Sequence, residues 1–160
     1  MAPLVEEPLK LVAFIFAVYV VSTKSYKGLL LVAITAGIVF QTSEDFPYIL
    51  SDLPDGFSYT ISGILGRSIG AISCHWLYTS FLDMGLVLIW RSRQKLIHQK
   101  YCLIGIFYAC GAFASHFAWN SPLRTLESDL PWVSGLLISL NLFFFISLYQ
   151  LLSKLGKENK

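Results

Sequence analysis

The sequence predicts an all-α protein, a polytopic transmembrane helix bundle of about five spans, and three observations predict it. Of 160 residues, 55% are hydrophobic and 14% charged, where an average soluble domain has about 25% charged residues; the mean hydropathy is +0.61. Apolar runs recur at lengths near the roughly 20 residues that a helix needs to cross about 30 Å of hydrocarbon. The connections between those runs alternate in charge, with basic residues gathered in every second one. A net charge of only +2, without a clustered basic footprint, argues against a nucleic-acid partner and leaves the lipid bilayer as the expected surroundings.

The spans are expected near residues 1 to 21, 28 to 50, 66 to 90, 101 to 120 and 132 to 153. The first, MAPLVEEPLKLVAFIFAVYVV, is read as a retained span: a signal peptide would need a basic leader and a small-residue cleavage site, whereas Glu6 and Glu7 precede Lys10 and VVSTKS is a poor site. Pro8 is compatible with a first helical turn, where its missing donor is unpaired anyway. The second span runs into FQTSEDFPY, and the third carries His75, Thr79 and Asp83 at four-residue spacing, with Arg67 and Ala71 continuing the stripe. Asp83, the deepest of these, is read as a helix–helix contact. The fourth span ends in HFAWN, where His116 and Asn120 share a face, and the aromatic run of NLFFFISLYQ in the fifth is expected to face lipid or core. STKSYK, SDLPDGFSYTISGIL, RSRQKLIHQK and SPLRTLESDLP are the connections, rich in Pro, Asp, Ser and basic residues; YTISGIL is expected along the interface. No repeat or linker divides the chain, so residues 1–153 form a single membrane domain followed by a tail, 154–160.

Lys24 and Lys27 lie in the first connection, Arg91, Arg93, Lys95 and Lys100 in the third, and Lys154, Lys157 and Lys160 in the tail. The other two connections hold Asp52, Asp55, Glu127 and Asp129 against Arg124 and the boundary residue Arg67. The positive-inside rule therefore places the tail in the cytoplasm and the N-terminus outside, in what is expected to be the plasma membrane. Trp76, Trp119 and Trp132 then sit near outer boundaries, as interface anchors do. The three cysteines, Cys74, Cys102 and Cys110, form no C-x-x-C pair and read as small core residues.

With that orientation, Glu6, Glu7, Glu44, His75, His116 and Asn120 all fall in the outer half of the membrane, delivered by four separate spans. Ionisable groups are costly in hydrocarbon and mark functional sites there. Lys10 lies four residues after Glu6 and three after Glu7, so it tempers their charge. In a site with limited water, a carboxylate can take a proton from attacking water while imidazoles or an amide stabilise a developing oxyanion. Two imidazoles and a carboxylate can equally hold zinc and leave a place for water. No H-E-x-x-H or G-x-S-x-G is present, so any metal is held from separate helices and serine catalysis is disfavoured. A proton-coupled carrier or non-catalytic scaffold is the alternative, although a carrier's inverted repeat is not visible.

Four stretches together resemble the PrsW family of intramembrane proteases, distant relatives of the CAAX-type prenyl endopeptidases. APLVEEPLK is similar to its P-x-x-E-E-x-x-K motif through Pro3, Glu6, Glu7 and Lys10; FQTSEDFPY to F-x-x-x-E through Phe40 and Glu44; RSIGAISCHWLYT to the third motif through Arg67, His75 and Thr79; HFAWN to the last through His116, Trp119 and Asn120. Asp45 stands where the family commonly has asparagine. The resemblance implies endopeptidase cleavage of a membrane-anchored protein substrate, such as an anti-sigma factor, near the extracytoplasmic face. It implies Glu6 or Glu7 as base or ligand, Glu44 as second acid or ligand, and His75, His116 and Asn120 as ligands or oxyanion donors, with Lys10, Arg67 and Thr79 supporting. If zinc is the cofactor, Glu44, His75 and His116 are its expected ligands; otherwise a glutamate-activated water does the work.

Overall fold

The computed structural model describes residues 2–121 and 132–158. Arg124, Glu127 and Asp129 of the fourth connection and Lys160 of the tail lie outside the described residues. Six α-helices make up the described chain: α1 (Ala2–Val21), α2 (Tyr26–Asp52), α3 (Phe57–Gly70), α4 (His75–Arg93), α5 (Lys100–Trp119) and α6 (Trp132–Glu158), with 3-10 turns at Leu53–Asp55 and Ala71–Ser73. Four stretches are long and apolar enough to cross a membrane: Tyr26–Asp55, Phe57–Arg93, Lys100–Trp119 and Trp132–Glu158. α1, at 20 residues, matches α5 in length and differs by carrying Glu6, Glu7 and Lys10. Pro8 lies in its second turn, not its first, so the Leu4 carbonyl loses its intrahelical donor.

The third expected span is interrupted where the sequence reads as continuous. α2 runs past Glu44 to Asp52, and Pro54 and Gly56, the latter at φ 103°, reverse the chain. α3 then returns antiparallel to the tip of α2. Thr60 Oγ1 donates to the Asp52 carbonyl at 3.1 Å, and Arg67 reaches Asp45 at 3.1 Å. The 3-10 turn and Cys74, at φ −131° and ψ −136°, redirect the backbone into α4, whose first residue is His75. Trp76 Nε1 donates to the Ala71 carbonyl across this break at 3.1 Å. Arg67 and Ala71 therefore belong to different elements from the His75–Thr79–Asp83 face. Gly70 followed by Ala-Ile-Ser-Cys contains no proline, and a lone glycine inside an apolar run is a weak stop.

α4 is the central helix, with Leu77, Tyr78, Phe81, Met84 and Leu88 buried against Leu29, Leu30 and Ala33 of α2 and Leu148, Leu152 and Leu155 of α6. Helices in lipid gain little from hydrophobic exclusion and associate through close packing of small residues. Gly85 and Gly105 are such a pair: a Cβ on Gly85 would lie 2.7 Å from the Gly105 carbonyl oxygen. Gly37 does the same for α2 and α4, since its Cβ would stand 2.4 Å from Trp76 Cα. The outward faces remain apolar, with Phe16, Tyr19, Leu103 and Phe143 exposed. Of the three tryptophans read as interface anchors, Trp132 is exposed whereas Trp119 is buried and Trp76 partly so; Cys110 is exposed and Cys74 buried.

The basic connections gather at one end. Arg91 stacks on the Tyr26 ring at 4.2 Å and donates to the Lys24 carbonyl, joining the first connection to the third. Lys27 shares a crevice with Lys157, and Lys100 another with Lys154. His75 opens α4 and Arg91 lies near its close, a separation of about 24 Å at 1.5 Å per residue.

Candidate active site

α1, α2, α4 and α5 each turn a polar face toward the same point. On α2, Gly37, Phe40 and Glu44 follow at helical spacing: Gly37 lets the helix approach α4, Phe40 covers the His75 ring at 5.1 Å, and Glu44 Oε2 lies 2.7 Å from His75 Nε2. On α5, Tyr101, Gly105, Tyr108, Ala112 and His116 form the buried stripe facing α4, so His116 continues the packing seam into the site. The His116 ring is stacked on Tyr78 at 4.9 Å and meets the His75 ring edge-on at 5.1 Å.

The hydrogen bonds assign the two faces of each imidazole. His116 Nδ1 lies 2.8 Å from Glu7 Oε1. A carboxylate accepts, so Nδ1 donates and Nε2 carries the lone pair. That nitrogen faces Glu6 Oε2 at 3.5 Å. His75 donates from Nε2 to Glu44, which leaves the Nδ1 lone pair 2.6 Å from the Lys10 ammonium and 3.8 Å from Glu6 Oε2. Lys10 is wholly buried; it also donates to Glu7 Oε1 at 2.7 Å, lies 3.6 Å from Glu6 Oε2, and sits over the Phe40 ring at 4.3 Å. Glu6 Oε2 is buried and accepts no hydrogen bond among the described residues.

Two lone pairs and an orphaned carboxylate oxygen thus converge, with their ligand atoms all within 4.8 Å of one another. Acceptors facing acceptors need a cation, a proton or a donor among them; the Lys10 ammonium fills that need at His75 Nδ1, while His116 Nε2 and Glu6 Oε2 face each other at 3.5 Å. The residues fit a divalent ion on chemical grounds: Glu6, His75 and His116 are a carboxylate and two imidazoles, and each imidazole is fixed from behind by a second carboxylate, Glu44 or Glu7. Such outer partners set the tautomer and raise ligand basicity. The grouped carboxylate is Glu6, where the sequence reading names Glu44; Glu44 is turned instead to the far nitrogen of His75.

Beside this cluster lies a cavity of about 300 Å³, walled by the α2–α3 hairpin and the ends of α4 and α5, with Glu44, Asp45, Arg67, His75 and Asn120 among its lining. Asn120 is at its rim, exposed, and among the described residues its side chain makes no hydrogen bond to the cluster. Arg67 is half-exposed, paired with Asp45 and stacked on Tyr48 at 3.7 Å. Gln41 donates to the other Asp45 oxygen at 2.9 Å. Thr79 is buried, and its hydroxyl has no partner among the described residues; the same holds for both oxygens of Asp83. Tyr78 is absent from the sequence reading, although an aromatic three residues after His75 is a signal for a ring packed beside the site. Tyr48 and Gln41 are also missed, and their only signal is the i, i+3 and i, i+4 spacing to Asp45.

A helical bundle with acids and imidazoles joined inside it has the make-up of a membrane protein with a functional site buried among its helices. The profile described as PrsW family intramembrane metalloprotease matches residues 1–149, and the chain belongs to that family. No curated protein and no solved structure matches it. The chain is accordingly an integral membrane protein of an intramembrane protease family, acting on protein substrates.

Proposed function

We propose that the chain hydrolyses a peptide bond in a membrane-anchored protein near the extracytoplasmic face, in the manner of the first cut of an anti-sigma factor. The buried Glu6 Oε2, which accepts no hydrogen bond among the described residues and lies 3.5 Å from His116 Nε2 and 3.8 Å from His75 Nδ1, carries the reading. Glu6 takes the proton of the attacking water. Glu7 and Glu44 hold the histidines in the tautomers that turn a lone pair inward. Lys10 offsets the buried negative charge. Arg67 and Asn120, at the cavity, orient the entering backbone, and Thr79, buried one turn after His75 on the same helix, supports that face by packing. Glu6, His75 and His116 would hold zinc, Glu6 then acting as ligand in place of base, and the ion when bound supplies Lewis acidity and an acidified water.

Residues 1–153 act as one domain in the plasma membrane, with the N-terminus outside and the tail 154–160 in the cytoplasm. The gathering of Lys24, Arg91 and Lys154 at the end away from His75 supports this orientation. The test is to supply single-span reporter proteins to the reconstituted chain and map the new termini by mass spectrometry. Cuts near the reporter's extracytoplasmic boundary support the proposal. Cuts only on the side of the basic connections contradict it.

A further inference from the structure

We infer that Lys10 and a divalent ion are mutually exclusive occupants of the site, so that metal loading requires the Lys10 ammonium to leave His75. This rests on the hydrolytic reading of the same cluster. A neutral imidazole has one lone pair in its ring plane. At His75 the Nε2 position is engaged by Glu44, and the remaining lone pair, on Nδ1, accepts from Lys10 at 2.6 Å. Coordination by His75 Nδ1 uses that same pair of electrons, so one nitrogen cannot serve ammonium and metal together.

Position reinforces the conflict. Lys10 Nζ also lies 3.6 Å from Glu6 Oε2, the carboxylate oxygen grouped with both histidines. A fixed ammonium at that distance occupies the place of a cation and repels a second one. His116 is outside the contest: its Nε2 faces Glu6, and its Nδ1 is bonded to Glu7. The ammonium has somewhere to go, because Glu7 Oε1 already accepts from it and Glu7 Oε2 is buried with no partner among the described residues. Lys10 is therefore a built-in counter-ion that keeps the metal-free site neutralised and sets a threshold for loading.

The experiment is a zinc titration of the full chain in lipid nanodiscs against a chelating dye of known affinity, comparing wild type, Lys10→Gln, His75→Ala and the double variant. Coupling of this kind is typically worth roughly 5- to 150-fold in affinity. Lys10→Gln is expected to tighten zinc binding within that range when His75 is present, and by clearly less when His75 is alanine, where only the charge repulsion is relieved. A gain as large without His75 as with it reflects loss of a nearby positive charge alone and overturns the inference. Equal affinity in wild type and Lys10→Gln also overturns it, as does the absence of zinc binding in every variant. If Lys10→Gln does not fold, wild type labelled with 15N-lysine decides: zinc must shift the Lys10 Nζ resonance, and an unmoved resonance with zinc bound refutes the exclusion. Reporter cleavage by the same wild-type preparation, compared with Glu6→Gln, separates failure of this inference from failure of the hydrolytic reading.

Discussion

Glu6 and Glu7 are neighbours in sequence with different surroundings. Glu7 is wholly buried and bonded to both Lys10 and His116, whereas the Glu6 side chain keeps 19% exposure and Oε2 lacks a hydrogen bond among the described residues. Removing one partner of a buried charge pair costs about 3–5 kcal/mol, because the other charge is left uncompensated. Glu7→Ala is accordingly expected to destabilise the bundle by about that amount in a reversible detergent unfolding titration. A Glu7→Ala protein as stable as wild type would show that the Lys10–His116 linkage is not formed. Tyr78→Leu removes the stacked ring beneath His116; an aromatic pair is worth about 0.5–1.5 kcal/mol beyond its area. Its expected signature is a similar loss of stability, with a larger proportional loss of turnover as the imidazole gains freedom. The Asp45–Arg67 pair is half-exposed, so Arg67→Met should change stability by no more than about 1 kcal/mol. Its effect should appear in KM, measured on a reporter substrate, because Arg67 lines the cavity.

At the scale of elements, the site depends on how closely α2 approaches the start of α4. Gly37→Ala places a Cβ 2.4 Å from Trp76 Cα, which backbone cannot tolerate without shifting. Overpacking of this kind costs about 1–3 kcal/mol, and the shift should loosen Glu44 from His75, lowering activity along with stability. A methyl group on Gly111 in α5 would meet nothing within 4 Å. Gly111→Ala should therefore leave both properties unchanged or gain up to about 1 kcal/mol from reduced chain entropy. Equal damage from the two substitutions would contradict the packing described. The spans themselves were legible because apolar runs bounded by polar connections state their own length. The break at 71–74 was not: the apolar pattern continues through it, and α3 is held apart from α4 by the α2–α3 hairpin, whose Thr60–Asp52 and Arg67–Asp45 contacts join residues distant in the sequence.

Across the whole molecule, the ends of the bundle are chemically distinct, with Lys24, Arg91, Lys100 and Lys154 at one and the Glu–His cluster toward the other. A protease-accessible tag after residue 160 is expected to be cut from the cytoplasmic side only, and a tag cut from outside would reverse the assigned orientation. Depth and residue type were enough to bring Glu6, Glu7, Glu44, His75 and His116 together in a sequence reading. Which carboxylate faces which nitrogen depends on the rotation of each helix about its axis, and a linear pattern does not carry that; hence Glu44 appeared as a metal ligand and the structure groups Glu6 instead. The same rotation explains Asn120, which shares a helical face with His116 in projection yet stands at the exposed rim where α5 ends. The most direct test of the central claim is turnover of a membrane-anchored reporter by the reconstituted chain and by Glu6→Gln, an exchange that preserves shape and removes the base. Turnover is expected to fall by about 10²–10⁴-fold, the usual contribution of a positioned general base, while the unfolding midpoint stays at the wild-type value. Wild-type turnover in Glu6→Gln, or loss of activity accompanied by equal loss of stability, would contradict the role assigned to Glu6.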